Sequence, residues 1–139
     1  MLAIVELAEK IATETHAGQF RRGAAIPYIE HPRAVASRVV DDLDAQVLAN
    51  LHDVIEDCDV SAETLQKGGI PEKHVSTVLR LKKSEGLDYA SYLDRAARYP
   101  LVTKVKIADM ISNLADTPNP RQIRKYAVGL ERLTRERVK

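Results

Sequence analysis

Apolar residues recur every three to four positions along almost the whole chain, and no stretch alternates convincingly in steps of two. That period lines up one face of a helix, whereas a half-buried strand needs strict alternation. The expected fold is therefore all-α: a single compact bundle of roughly seven or eight helices, with residues 1–139 forming one domain. Ile4, Val5, Ala8, Ile11, Ala12 and Thr15 mark a first helix reaching about residue 17. The stretch 18–27, GQFRRGAAIP, carries two glycines and two arginines and reads as a loop. His31-Pro32 opens a second helix, with proline in the first turn where a missing N–H costs nothing. A third runs from about Ala45 to Asp57 on Val47, Leu48, Leu51, Val54 and Ile55. Ser61 caps a short helix that stops at Gly68-Gly69. Pro71, Asp88, Pro100 and Asn119-Pro120 begin the remaining four.

Composition narrows the function classes. Twenty-one basic and 20 acidic residues leave a net charge of +1, which argues against general nucleic-acid or membrane-surface binding. With no Trp and one Phe, base stacking has little to work with. The single cysteine, Cys58, permits neither an internal disulfide nor a thiolate metal cluster, and a reducing cytoplasm is the expected compartment. The start, MLAIVELAEKIATE, is acidic and amphipathic, unlike a signal peptide, and no window is apolar enough to span a membrane.

The charge is unevenly spread. Between Asp41 and Glu63 lie eight acids and no lysine or arginine; from Arg121 onward seven basic residues face two acids. Part of the acidic run falls inside an apolar helical pattern, LHDVIED (51–57). On one helix His52 and Glu56 stand a turn apart, as do Asp53 and Asp57, so the four would form one patch. Such a patch is either a solvated face or a set of groups that repel one another until something positive joins them. His31, at a helix start, reads as structural or as a ligand. Asp109, in the helical stretch KVKIADMISNLAD, is either an acid satisfied by Lys106 three residues earlier or a further ligand. Together His31, His52, Asp53 and Asp109 supply two imidazoles and two carboxylates. That set suits Mn, Fe, Co, Ni or Zn, with positions left open for water. Glu56 and Asp57 would then serve as proton acceptor or water-orienting groups. Arg21 and Arg22 are either a phosphate clamp or a solvated basic loop.

Three stretches, HAGQFRRGAAIPYIEHPRAVA (16–36), LHDVIEDCDV (51–60) and VKIADMISNLAD (105–116), together resemble the HD-domain phosphohydrolases. Within that superfamily they look like the hydrolase domain of RelA/SpoT-type alarmone enzymes and the small stand-alone alarmone hydrolases. The resemblance runs in the family's order over nearly the whole chain. It implies a divalent metal, Mn²⁺ in the family's usual case, held by His31, His52, Asp53 and Asp109. It implies that Glu56 and Asp57 are the catalytic pair handling the nucleophilic water. Arg21, Arg22, Asn113 and Tyr28 correspond to residues around the substrate, and Lys106 is added as a possible anion contact from its position near Asp109. The implied reaction releases pyrophosphate from the 3′ position of ppGpp or pppGpp. The chain departs from the family at Met110, where a basic residue is usual, and at Ser112, where an aromatic or histidine is usual.

The expected partner is thus a small nucleotide, with neither nucleic acid nor membrane, and the oligomeric state, a homodimer included, stays open. Two alternatives stand beside it: an HD phosphohydrolase acting on a nucleoside monophosphate or NADPH, and a metal- or nucleotide-binding sensor with little turnover. No stretch reads as an alarmone synthetase. Among the other residues, His74 is expected on a helix surface. His16 is expected to be structural, and Cys58 a small buried residue with no histidine assigned to it.

Overall fold

Side-chain caps decide where several of the helices begin. The computed structural model describes residues 2–21, 25–58, 60–83 and 86–135, with only the backbone at residues 2 and 57. Among them are nine helices: α1 (Leu2–Thr15), α2 (Glu30–Ser37), α3 (Leu43–Leu51), α4 (Val54–Asp57), α5 (Ala62–Lys67), α6 (Glu72–Leu81), α7 (Tyr89–Ala96), α8 (Pro100–Leu114) and α9 (Pro120–Thr134). Ser61 and Asp88 accept backbone N–H bonds from Thr64 and Ser91, as their positions predict. Asn119 and Gln122 form a reciprocal capping box that starts α9. Asp42 caps α3 through the N–H of Ala45, which moves its start ahead of the expected Ala45. The described residues contain no strand, only an isolated bridge between Phe20 and Pro27 across the arginine-bearing loop.

One expected helix is two. The pattern over 45–57 predicts an unbroken helix, yet α3 ends at Leu51 and α4 begins at Val54. The cause is local. The carbonyl of Ala49 is the acceptor an unbroken helix would offer to the N–H of Asp53. Here it takes a bond of 2.6 Å from His52 Nδ1. A side chain that captures a backbone acceptor interrupts the ladder.

α3 is the axis of the molecule. Val47, Leu48, Ala49 and Leu51 are each at most 1% exposed. A helix apolar on nearly every side must be surrounded, and α1, α2, α6 and α8 pack around this one. α8 is the second axis, against α2, α3, α6, α7 and α9. The core falls into two clusters. The larger gathers around α3; the smaller joins Tyr92 and Leu93 of α7, Met110 of α8 and Leu133 of α9. The latter depends on a close helix crossing at Gly129. A Cβ there would come within 2.8 Å of Met110 Cε and 3.1 Å of the Tyr89 hydroxyl.

His74 departs from expectation. It is 6% exposed, and its Nε2 meets Asp44 Oδ1 at 2.8 Å, tying α6 to α3. The larger side chain of Gly129→Val should overpack the α8–α9 crossing and lower stability by about 1–3 kcal/mol. Urea denaturation checks this: an unchanged midpoint would mean that the crossing has slack.

Candidate metal centre and cleft

The break after α3 shapes the site. Adjacent residues on a regular helix diverge by about 100°. Released from the ladder, Asp53 turns its carboxylate to within 3.0 Å of His52 Nε2. His31, from the first turn of α2, brings its Nε2 to 2.7 Å from Asp109 Oδ1 and 3.9 Å from Asp53 Oδ2. Asp109, mid-way along α8, also stands 3.5 Å from His52 Nε2. Donor atoms of His31, His52 and Asp109 all lie within 4.8 Å of one another. Two helices, α2 and α8, and the turn between α3 and α4 thus bring together all four expected ligands.

The histidine tautomer tests whether this set fits a cation. Bonding to the Ala49 carbonyl commits the Nδ1 proton of His52, the usual way of fixing which nitrogen is left for a metal. Nε2 is buried and faces two carboxylates without the alignment of a hydrogen bond to either. Such an atom needs a proton or a metal ion between itself and those oxygens. Two imidazoles and two carboxylates therefore fit a divalent ion.

The electrostatics agree. Burial works to push His52 toward its neutral form, but Asp53 and Asp109 overcome it and hold its pKa well above the ordinary 6.5. Burial would also raise the Asp53 carboxyl. His52, by charge and contact, and the 2.7 Å bond from the Tyr28 hydroxyl bring it down to about 2 instead. For Asp109 burial is outweighed first by the charge of Lys106, then by the bond from His31, and its pKa falls well below the carboxylate range.

The cluster floors a cleft of about 310 Å³ lined by Arg21, Tyr28, His31, Asp53, Glu56, Asp109, Asn113, Gln122 and Tyr126. Glu56 is exposed on this cleft. The Asp57 side chain and Arg22 lie outside the described residues. Arg21 is no solvated loop residue: it is 7% exposed and donates to Asn113 Oδ1 and Asp116 Oδ2, each at 3.0 Å. Asn113 in turn donates to Asp109 Oδ1 at 3.2 Å. Lys106 reaches Asp109 Oδ2 at 2.9 Å, the satisfied-acid arrangement its spacing allows, with its Nζ over the Tyr92 ring. Behind Tyr28 stands His16, 2% exposed, its ring centroid 4.8 Å away. Its Nδ1 is 3.4 Å from Cys58 Sγ, so a histidine does accompany that cysteine. Sequence reasoning missed Gln122 and Tyr126, whose only signal is that a helix starts at Asn119-Pro120.

Comparison with known proteins adds to this picture. No family model matches the chain. A Mycobacterium leprae protein named as a probable GTP pyrophosphokinase is 34% identical over 94% of this chain and 18% of its own. A Vibrio cholerae guanosine-3′,5′-bis(diphosphate) 3′-pyrophosphohydrolase is 37% identical over 81% of this chain and 17% of its own. The bifunctional (p)ppGpp synthase/hydrolase RelA of Mycobacterium tuberculosis is 33% identical over 94% and 19%. The chain thus spans about a fifth of the length of the curated relatives it matches. A solved structure, described as a metazoan ortholog of SpoT that hydrolyzes ppGpp and plays a role in starvation responses, shares the fold. Its TM-score is 0.77 at 24% identity, over 94% of this chain and 83% of that one. The all-α fold and the convergence of the His/Asp cluster match what the resemblance to the HD-domain superfamily implies. More particularly, the chain is a relative of the RelA/SpoT-type proteins, matched over one domain's length of them.

The raised pKa of His52 has a pH signature. Its stabilising contribution is complete below about 6.5 and is lost as pH rises through the higher folded value. The thermal midpoint of metal-free protein should therefore fall as pH climbs above 6.5, and saturating Mn²⁺ should flatten the fall. Calorimetry across that range checks it; a metal-free midpoint that rises instead contradicts the assignment.

Proposed function

We propose that the chain is a metal-dependent phosphohydrolase that releases pyrophosphate from the 3′ position of (p)ppGpp, leaving GDP or GTP. One observation carries the reading: His31, His52, Asp53 and Asp109 converge on the floor of a cleft large enough for a small ligand. The names of the Vibrio cholerae relative and of the metazoan structure support this substrate. Residues 1–139 act as one domain, in the cytoplasm.

His31, His52, Asp53 and Asp109 would hold the ion, which we take to be Mn²⁺. Bound there, it supplies Lewis-acid polarisation of a phosphoryl oxygen and a lowered pKa for water. The chain's own groups do the rest. Tyr28 fixes the Asp53 carboxylate by its hydroxyl. Glu56 and Asp57 orient the attacking water and accept its proton as it adds to the phosphorus bonded to the 3′ oxygen. The bond from that phosphorus to the 3′ oxygen breaks, and the ribose oxygen gains a proton. Arg21 and Arg22 offset charge on the phosphates, Arg21 being held in place by Asn113 and Asp116. Lys106 adds positive charge from behind Asp109. Asn113 borders the nucleotide.

Pyrophosphate release from ppGpp with Mn²⁺ tests this directly. Asp53→Ala should abolish both metal binding and release while keeping the helical circular-dichroism spectrum. Glu56→Ala should keep the metal and lose at least about 100-fold in rate. Stoichiometric metal without release from ppGpp would move the substrate to another nucleotide, such as a nucleoside monophosphate or NADPH. Full activity in Glu56→Ala would remove that residue from the chemistry.

A further inference from the structure

Lys106 is a half-buried cation whose charge the proposed chemistry uses but whose contact with Asp109 it leaves unexplained. Its side chain is 17% exposed, and its Nζ lies 2.9 Å from Asp109 Oδ2 and 5.4 Å from the centroid of the Tyr92 ring. Three residues apart on α8, the lysine and the aspartate share one helix face. The aromatic ring further confines the ammonium. The two oxygens of Asp109 are thereby divided. Oδ2 belongs to Lys106. Oδ1 faces the other way, 2.7 Å from His31 Nε2, 3.5 Å from His52 Nε2 and 3.2 Å from Asn113 Nδ2.

A carboxylate with both oxygens free can grip a divalent ion with both. We infer that Lys106 is a positioning residue that takes Asp109 Oδ2 out of use, so that Asp109 offers an ion between His31 and His52 a single oxygen. This rests on the metal reading above and deepens it. The arrangement has a cost that makes it recognisable. A neutral donor to a ligand carboxylate would only orient it. An ammonium also repels the ion and draws charge from the carboxylate that the two share. Lys106 therefore works against tight binding while leaving more of the ion's positive charge for an anionic substrate. Removing a merely structural lysine would weaken metal binding and activity together. Removing this one should separate them.

The experiment compares the native protein with Lys106→Met and Lys106→Arg, titrating Mn²⁺ by calorimetry and measuring water-proton relaxation per bound Mn²⁺. Lys106→Met should bind Mn²⁺ as tightly as the native protein or more so. It should show lower water relaxation, because the second Asp109 oxygen displaces water, and its kcat for ppGpp should fall about 10-fold or more. Lys106→Arg should restore most of the native relaxation. Native relaxation in Lys106→Met, or Mn²⁺ binding weakened more than about 10-fold in it, would overturn the inference. Failure of the native protein to bind Mn²⁺ is a separate outcome, which would overturn the metal reading and this inference with it.

Discussion

The carboxylate of Asp109 is buried in the middle of α8, and an uncompensated charge there would cost several kcal/mol. Much of the surrounding structure can be understood as its compensation. α2 enters the bundle so that His31 meets Oδ1, α3 ends where His52 can approach, and Lys106 covers Oδ2. Asn113 adds a bond from one turn further along α8 and passes the constraint on to Arg21, and through Arg21 to the loop ahead of α2. A charge in the core thus organises three stretches that are distant in sequence: α2 with the loop ahead of it, the end of α3, and α8. It also explains why the cluster is so closely drawn together: each partner approaches to within hydrogen-bond distance or little more.

The second organising contact is small. One imidazole nitrogen captures one carbonyl, and a helix that the apolar pattern would carry to Asp57 stops at Leu51. Continuous helix would send His52 and Asp53 in different directions. The interruption lets two neighbouring residues face the same centre, and it selects the tautomer in which Nε2 can accept a cation. Local geometry and chemistry are set by the same bond.

Much of this was legible in the sequence, for identifiable reasons. Ser61, Asp88, Asn119 and the prolines at residues 100 and 120 act on the backbone next to them, so the helix starts could be read locally. Taken singly, His31, His52, Asp53 and Asp109 could be structural or ligands; it was their combination, in the order of the family they resemble, that marked them as one set. What escaped depends on distant packing. Nothing around His74 reveals that Asp44 waits on another helix. Residue type and spacing left Arg21 open between a phosphate clamp and a solvated loop, because its partners, Asn113 and Asp116, are more than 90 residues away. The break at residues 52–53 was hidden because an apolar period records which face is buried, not whether each backbone bond is made. Gln122 and Tyr126 reach the cleft only because the turn after α8 brings α9 back beside it.

That return has a consequence for how a site of this kind can diversify. The His/Asp groups are carried by α2, the end of α3 and α8, around the larger apolar cluster. The Gln122–Tyr126 wall is carried by α9, which rests on α7 and α8 through the smaller one. The His/Asp floor and one wall of the cleft therefore answer to largely different sets of packing residues, joined where Tyr92 meets Lys106. Substitutions at Leu133 and around Gly129, both on α9, can tilt or slide the wall, changing the shape of the guest admitted, while the larger cluster keeps its hold on the floor. A lineage built on this bundle is free to explore new ligands with the smaller part of its interior while the larger part keeps the His/Asp floor in place.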